Sequence, residues 1–291
     1  MGLFNLLDNM VDFRFAFYGL KNKIHEMKNI KIEYWSSETD KPTLLLIHAF
    51  GADCKYSWFK QIRPLSKKYR LIIPNLLYFG ASDRNPKSYK IENQVEAISK
   101  LLQELKINEL TIGGASYGAV VGCELANTGL FRITKLFVSN SPLKFSIQSD
   151  WENVIKDFGV SKKSEVLIPT NHKNLHALYS LSTARYSIFP SFVFKSIYRK
   201  MYVPYAEERR RLIDNFVDAY DTLAKNEYNF DFPILIVWGE KDQLNPIRIA
   251  HQLKKYFGNN AELIVLKKAA HLPNFDRPKD YNRALKKFLC V

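Results

Sequence analysis

The chain predicts an α/β fold: a mostly parallel, doubly wound sheet with helices on both faces and a helical cap inserted between two strands. Three observations carry this. Short apolar runs recur along the sequence, helix-like stretches separate them, and one long stretch, residues 143–230, contains no such run. A brief, unbroken apolar run is what a strand covered on both faces requires, because neither face may present polar groups. The composition permits a large core, since 46% of the 291 residues are hydrophobic and 14% aromatic.

The elements follow in order. In residues 2–17, Asn5, Asp8, Asn9 and Asp12 recur at spacings of three and four and trace one stripe of a helix. Leu3, Phe4, Leu6, Leu7, Met10 and Val11 fill the rest. Such a helix either covers part of the core or lies on lipid, and its acidic polar face weighs against lipid. Residues 30–34 alternate like an exposed strand, and Thr43–Ile47 is continuously apolar. Residues 70–73, 110–112, 135–138, 234–238 and 263–266 read as further strands. Helices are expected at 57–68, 92–105, 119–127, 246–256 and 279–289, and within the insertion at 151–158, 175–181, 192–202 and 206–223. The organisation is therefore an N-terminal amphipathic segment (1–29), a core (30–142 and 231–291) and a helical cap (143–230). The cap is aromatic, with Tyr179, Tyr186, Phe189, Phe192, Phe194, Tyr198, Tyr202 and Tyr205. Crevices in open α/β sheets lie at the carboxyl ends of the strands, where a cap would supply walls.

Several classes are set aside. No apolar run reaches the roughly 18–20 residues of a spanning helix, and the first residues lack the charge and apolar centre of a secretory signal. Cys54, Cys123 and Cys290 are odd in number and widely spaced, which fits a reducing compartment and neither a disulfide framework nor a metal site. Cys123 is expected to face the core. The net charge of +14 is spread along the chain; its densest run, Arg209-Arg210-Arg211, follows Glu207-Glu208 in a helix-like stretch. No nucleic-acid motif accompanies it, so the charge reads as a solvated basic surface, with a membrane surface as the second reading. A cytoplasmic protein, peripheral to a membrane if residues 2–17 touch lipid, is the expectation.

The chemistry concentrates at strand ends. Gly114-Ala115-Ser116-Tyr117-Gly118 stands between a strand-like and a helix-like segment. A turn this sharp crowds its neighbours, and Gly114 and Gly118 remove the side chains that would clash. Ser116 becomes a nucleophile only if a base takes its proton. His271, just after the last strand-like run, is the candidate among six histidines. His25 and His251 read as surface residues. His172 and His176 are four apart, a spacing that suits a metal, but no third ligand supports one. Asp242, in the loop after residues 234–238, would orient the histidine, with Glu240 as a rival. An oxyanion needs two backbone N–H donors. Tyr117 supplies one and Phe50, in the loop His48-Ala49-Phe50-Gly51, the other, while His48 reads as a residue that holds this loop.

These motifs, with Gly239-Glu240-Lys241-Asp242 and residues 74–82, resemble the α/β-hydrolase superfamily over roughly residues 30–290. The chain order Ser, Asp, His is the order of nucleophile, acid and base in that family, and it favours Asp242 over Glu240. Two departures stand out. Ala49 replaces the usual Gly, and Asn75 and Tyr78 replace an Asp and a Gly of the following loop, changes expected to reshape the pocket mouth. Tyr78 resembles a branch similar to monoacylglycerol lipases. The resemblance implies a serine hydrolase acting through an acyl-serine, without cofactor or metal, on a small ester whose acyl chain is hydrophobic, of monoacylglycerol or simple carboxylester type. Two alternatives stay open: a carbon–carbon bond hydrolase of ring-cleavage products, and a non-catalytic ligand-binding protein. The former usually carries Asn before the nucleophile and Trp after the base, where this chain has Ala115 and Leu272. Epoxide hydrolases and haloalkane dehalogenases use an Asp nucleophile, which Ser116 argues against. The oligomeric state is not legible.

Overall fold

The computed structural model describes residues 3–28, 30–83, 88–184 and 190–290. Helix α1 (Leu3–Phe17) leads into strands β1 (Leu20–Met27), β2 (Ile30–Ser37) and β3 (Thr43–Ile47). Helices α2 (Cys54–Trp58) and α3 (Ile62–Leu65), β4 (Arg70–Pro74), α4 (Ile91–Glu104), β5 (Glu109–Ala115), α5 (Tyr117–Asn127) and β6 (Arg132–Ser139) follow. The insertion holds α6 (Ser149–Phe158), α7 (Lys163–Leu167), α8 (His172–Ser182), α9 (Ser191–Ile197), a π turn (Tyr198–Tyr202), α10 (Ala206–Asp218) and α11 (Tyr220–Leu223). The chain closes with β7 (Ile234–Gly239), α12 (Ile247–Phe257), β8 (Ala261–Leu266), α13 (Pro273–Asp276) and α14 (Pro278–Leu289).

The eight strands form one sheet in the order β1-β2-β4-β3-β5-β6-β7-β8. From β4 to β8 every pairing is parallel, and β1 and β2 form an antiparallel ribbon at one edge. Alternate side chains of β3 enter opposite cores. Leu45 and Ile47 pack with α4, α5 and α12, whereas Leu44 and Leu46 pack with α2, α3 and α14. Both faces are thus dry, which explains the unbroken apolar runs. Cys123 is fully buried in α5. A third cluster joins Trp151, Val166, Leu175, Phe194 and Tyr202 of the insertion to Leu244, just beyond β7. The insertion is therefore packed on the loop that carries Asp242. Among the described residues no helix is long and apolar enough to cross a membrane.

Four expectations change. The sheet begins at Leu20, inside the segment expected to end at residue 29, because β1 pairs with β2 from Leu20–Ser37 to Met27–Ile30. Its sequence is mostly polar, so the two-residue period was masked. Residues 30–34, expected to alternate as an exposed strand, do alternate, but Ile32 and Tyr34 are buried and the strand runs on to Ser37, where Phe15 of α1 packs edge-on to Trp35 at 4.9 Å. The helix expected at 57–68 is two short helices. Pro64 has no N–H for the Lys60 carbonyl, which instead accepts a hydrogen bond from Asn282 Nδ2 at 3.0 Å. Finally, Arg209 is not part of a solvated run. It is buried, donating to the carbonyls of Tyr78 and Met201 and lying 4.5 Å over the Phe79 ring, while Arg210 and Arg211 pair with Glu207 at the surface.

Candidate active site

Strand β5 ends at Ala115 and α5 starts at Tyr117, so the chain reverses at Ser116 alone. Its backbone takes φ 51° and ψ −123°, a region that costs an L-residue on the order of 1–3 kcal/mol. The turn is held by the Ser116 N–H donating to the Ser139 carbonyl at 2.8 Å and the Ala119 N–H donating to the Ser116 carbonyl at 3.0 Å. A Cβ on Gly114 would enter the Ala119 backbone, and one on Gly118 would overlap the carbonyl oxygens of Ile47 and His48. The first turn of α5 can therefore lie against the end of β3 only with glycine at these positions.

Ser116, Asp242 and His271, far apart in sequence, meet here. His271 Nε2 lies 3.1 Å from Ser116 Oγ and its Nδ1 lies 2.9 Å from Asp242 Oδ2. A carboxylate only accepts, so a neutral His271 carries its proton on Nδ1 and offers Nε2 to the serine hydroxyl. The Asp242 side chain is fully buried, and its charge is met by the N–H groups of Leu244 and Asn245, each at 2.9 Å, and by Asn140 Nδ2. Glu240 lies exposed instead, accepting the Lys268 N–H at 3.2 Å. Asp276 accepts the N–H groups of Ala270 at 2.8 Å and Ala184 at 2.9 Å, and the Leu272 N–H donates to the Ser182 carbonyl. These bonds tie the histidine loop to the insertion.

Tyr117 is the first residue of α5, so its N–H has no carbonyl one turn earlier to bond. Phe50 sits beside it, the two rings meeting edge-on at 5.7 Å, and both residues line the cavity that holds Ser116 and His271. His48 is fully buried behind them. Its Nδ1 donates to the Ala49 carbonyl at 2.8 Å, and its Nε2 accepts the Leu76 N–H at 3.0 Å. Burial pushes its pKa down to about 4, so it stays neutral and pins the Phe50 loop.

The cavity has a volume of about 700 Å³. Trp151, Tyr179, Tyr202, Phe216 and Tyr220 of the insertion line it, as do Met10, Phe13 and Phe17 of α1, which are exposed to solvent. Burial raises the Tyr179 phenol to about 12, so it is neutral here. Arg14 and Lys163 also line the cavity, and among the described residues no Asp or Glu does. Of the cap aromatics singled out in the sequence, Tyr179 and Tyr202 reach the cavity. Phe194 fills the insertion core against His176 and Tyr179, Phe192 is exposed, and Tyr198 donates to the Thr170 carbonyl. Tyr205 caps α10 with a positive φ, and Tyr186 and Phe189 lie outside the described residues. Ala49 lines the cavity, but Asn75 and Tyr78 do not. Asn75 is buried between Cys54 N–H and Glu33, and Tyr78 stacks on Tyr89 at 5.2 Å. Among the described residues no group of three or more His, Cys, Asp or Glu side chains is placed to hold a metal.

Sequence reasoning missed Asn140 and Asp276. Asn140 ends β6 with φ 47°; its side chain donates to Asp242 and accepts the Gly239 N–H at 3.3 Å, while its carbonyl accepts Asn245 Nδ2 at 2.8 Å. The only signal was an Asn directly after an apolar strand, where asparagine tolerates left-handed backbone.

Comparison with known proteins matches this fold. The family model described as the alpha/beta hydrolase fold covers residues 42–278. Epoxide hydrolase 4 of Mus musculus is 25% identical, covering 87% of this chain and 74% of that protein. Lipase 1 of Psychrobacter immobilis is 26% identical, covering 79% and 71%. Among solved structures, a putative lipase from Acinetobacter baumannii superposes with a TM-score of 0.80 at 22% identity, covering 97% of this chain and 95% of that one. The strand order, the turn at Ser116 and the family match together place this chain in the alpha/beta hydrolase family, as an enzyme of that fold.

Proposed function

We propose that the chain hydrolyses carboxylic esters with a hydrophobic acyl chain through an acyl-Ser116 intermediate. The observation that carries this reading is the unbroken relay from Ser116 Oγ through His271 to Asp242, at 3.1 and 2.9 Å, opening into an apolar cavity. Ser116 Oγ attacks the carbonyl carbon as His271 Nε2 takes the hydroxyl proton. Asp242 stabilises the imidazolium, and the N–H groups of Phe50 and Tyr117 receive the oxyanion. The intermediate collapses, the ester C–O bond breaks, and the alcohol leaves with the proton from His271. Water then attacks the acyl carbon while His271 takes its proton. Collapse returns that proton to Ser116 and releases the acid.

The relative named an epoxide hydrolase does not redirect the reading, since a serine stands at the turn here. The apolar walls and the relatives named as lipases favour an acyl chain over a polar substrate. A series of p-nitrophenyl esters from acetate to palmitate tests this. Higher kcat/KM with a longer chain is expected, and no preference beyond acetate would remove the hydrophobic acyl assignment. Turnover of a ring-cleavage dienoate with no ester turnover would favour carbon–carbon cleavage instead.

A further inference from the structure

We infer that the outer face of α1 docks on an anionic lipid bilayer, with the mouth of the cleft beside it. The inference rests on the reading of the cleft as an ester-hydrolase site and names where its substrate comes from. Leu6, Met10, Phe13 and Phe17 recur at spacings of four, three and four, so they share one stripe of the helix. They are 51%, 60%, 71% and 70% exposed. The opposite stripe holds α1 to the body: Phe15 is fully buried, and the acids are turned inward, with Lys55 Nζ 2.7 Å from both Asp8 and Asp12 and the Tyr56 hydroxyl donating to Asp8.

The acids that weighed against lipid in the sequence are therefore on the side opposite the exposed apolar stripe, paired with Lys55 and Tyr56. A surface helix ordinarily buries its apolar stripe, and this one, besides burying Phe15, leaves a second apolar stripe in solvent. Because α1 rests along the body, only the outer stripe is free, which fits a helix lying in the membrane plane rather than crossing it.

Charge selects the occupant. Helix α9 packs against α1 and carries Phe192, 61% exposed, while exposed Lys195, Arg199 and Lys200 follow it. Arg14 and Lys163 line the cleft and no acid does among the described residues. A second copy of a chain of net charge +14 would bring like charges together, whereas an anionic bilayer supplies the opposite sign and an apolar interior. Met10, Phe13 and Phe17 belong both to the exposed stripe and to the cavity lining, so an acyl chain leaving the bilayer meets the cleft without crossing bulk water.

The test is flotation of the full chain with phosphatidylcholine vesicles, with and without phosphatidylglycerol, for wild type and for Leu6→Ser/Phe13→Ser/Phe17→Ser. Thermal melting checks that the variant folds, and light scattering reports the oligomeric state. Wild type is expected to float with the phosphatidylglycerol vesicles, less so in high salt, and the variant to bind about tenfold more weakly. Failure of wild type to float, equal flotation of the variant, or equal binding to uncharged vesicles would overturn the inference. So would a wild-type dimer that the substitutions dissociate, because a second copy would then cover the face. Flotation reads docking alone and fluorophosphonate labelling reads Ser116 alone, so failure of either reading is distinguishable from failure of the other.

Discussion

Two regions meet at the cleft and follow opposite rules. At the strand ends, the Asp242 carboxylate and both His271 nitrogens have hydrogen-bond partners, and the chain bends to supply them at Ser116 and Asn140. On α1, large apolar side chains stand in solvent while the acids beneath them are paired. The first region holds one geometry, because a buried charge without partners is costly. The second holds no geometry that its exposed residues set. Substitutions in the two regions should therefore separate turnover, stability and surface binding.

The largest effect is expected at the relay. Asp242→Asn removes the charge that holds the Nδ1 tautomer, so kcat should fall by about 10³–10⁴-fold. Steady-state kinetics on a short soluble ester would check it, and a loss of less than tenfold would remove Asp242 from the relay. The two faces of α1 come next. Phe15→Ala empties a fully buried site and should cost about 3–5 kcal/mol, whereas Phe13→Ala should lie within about 0.5 kcal/mol. Urea unfolding measures both, and equal costs would mean that α1 does not sit as described.

His48 gives a third contrast, with the sign set by its depressed pKa of about 4. Between that value and the usual 6.5 the unfolded chain binds the proton and the folded chain does not, so the stability this group contributes falls as pH drops. From pH 6.5 to pH 5 its contribution to the loss is about 2 kcal/mol, and His48→Gln should show a correspondingly flatter dependence. Unfolding free energies at the two pH values would reveal it. The smallest effect concerns Asn140→Gly, which deletes the amide beside Asp242 while tolerating the positive φ. Loss of one charge-assisted hydrogen bond of about 1.5 kcal/mol should lower kcat roughly tenfold with little change in KM.

The same division decides what could be read from the sequence. The strands of the sheet centre announce themselves because both faces are apolar, and Gly114 and Gly118 flag a turn that no larger residue fits. The edge was hidden, since β1 needs backbone pairing more than apolar side chains. Arg209 looked solvated because its partners, the carbonyls of Tyr78 and Met201, are backbone groups that no sequence pattern marks. For α1, amphipathicity was legible, but which stripe faces the body was not. That depends on Lys55 and Tyr56, which lie more than forty residues away.

Every step proposed for the cleft depends on Ser116 carrying the acyl group. The most direct measurement is mass spectrometry of the chain after a fluorophosphonate probe and after a rapidly acid-quenched p-nitrophenyl ester, for wild type and Ser116→Ala. One adduct per chain is expected on the peptide that contains Ser116, and neither adduct nor turnover in the variant. Undiminished turnover by Ser116→Ala, or equal labelling of both proteins, would contradict it.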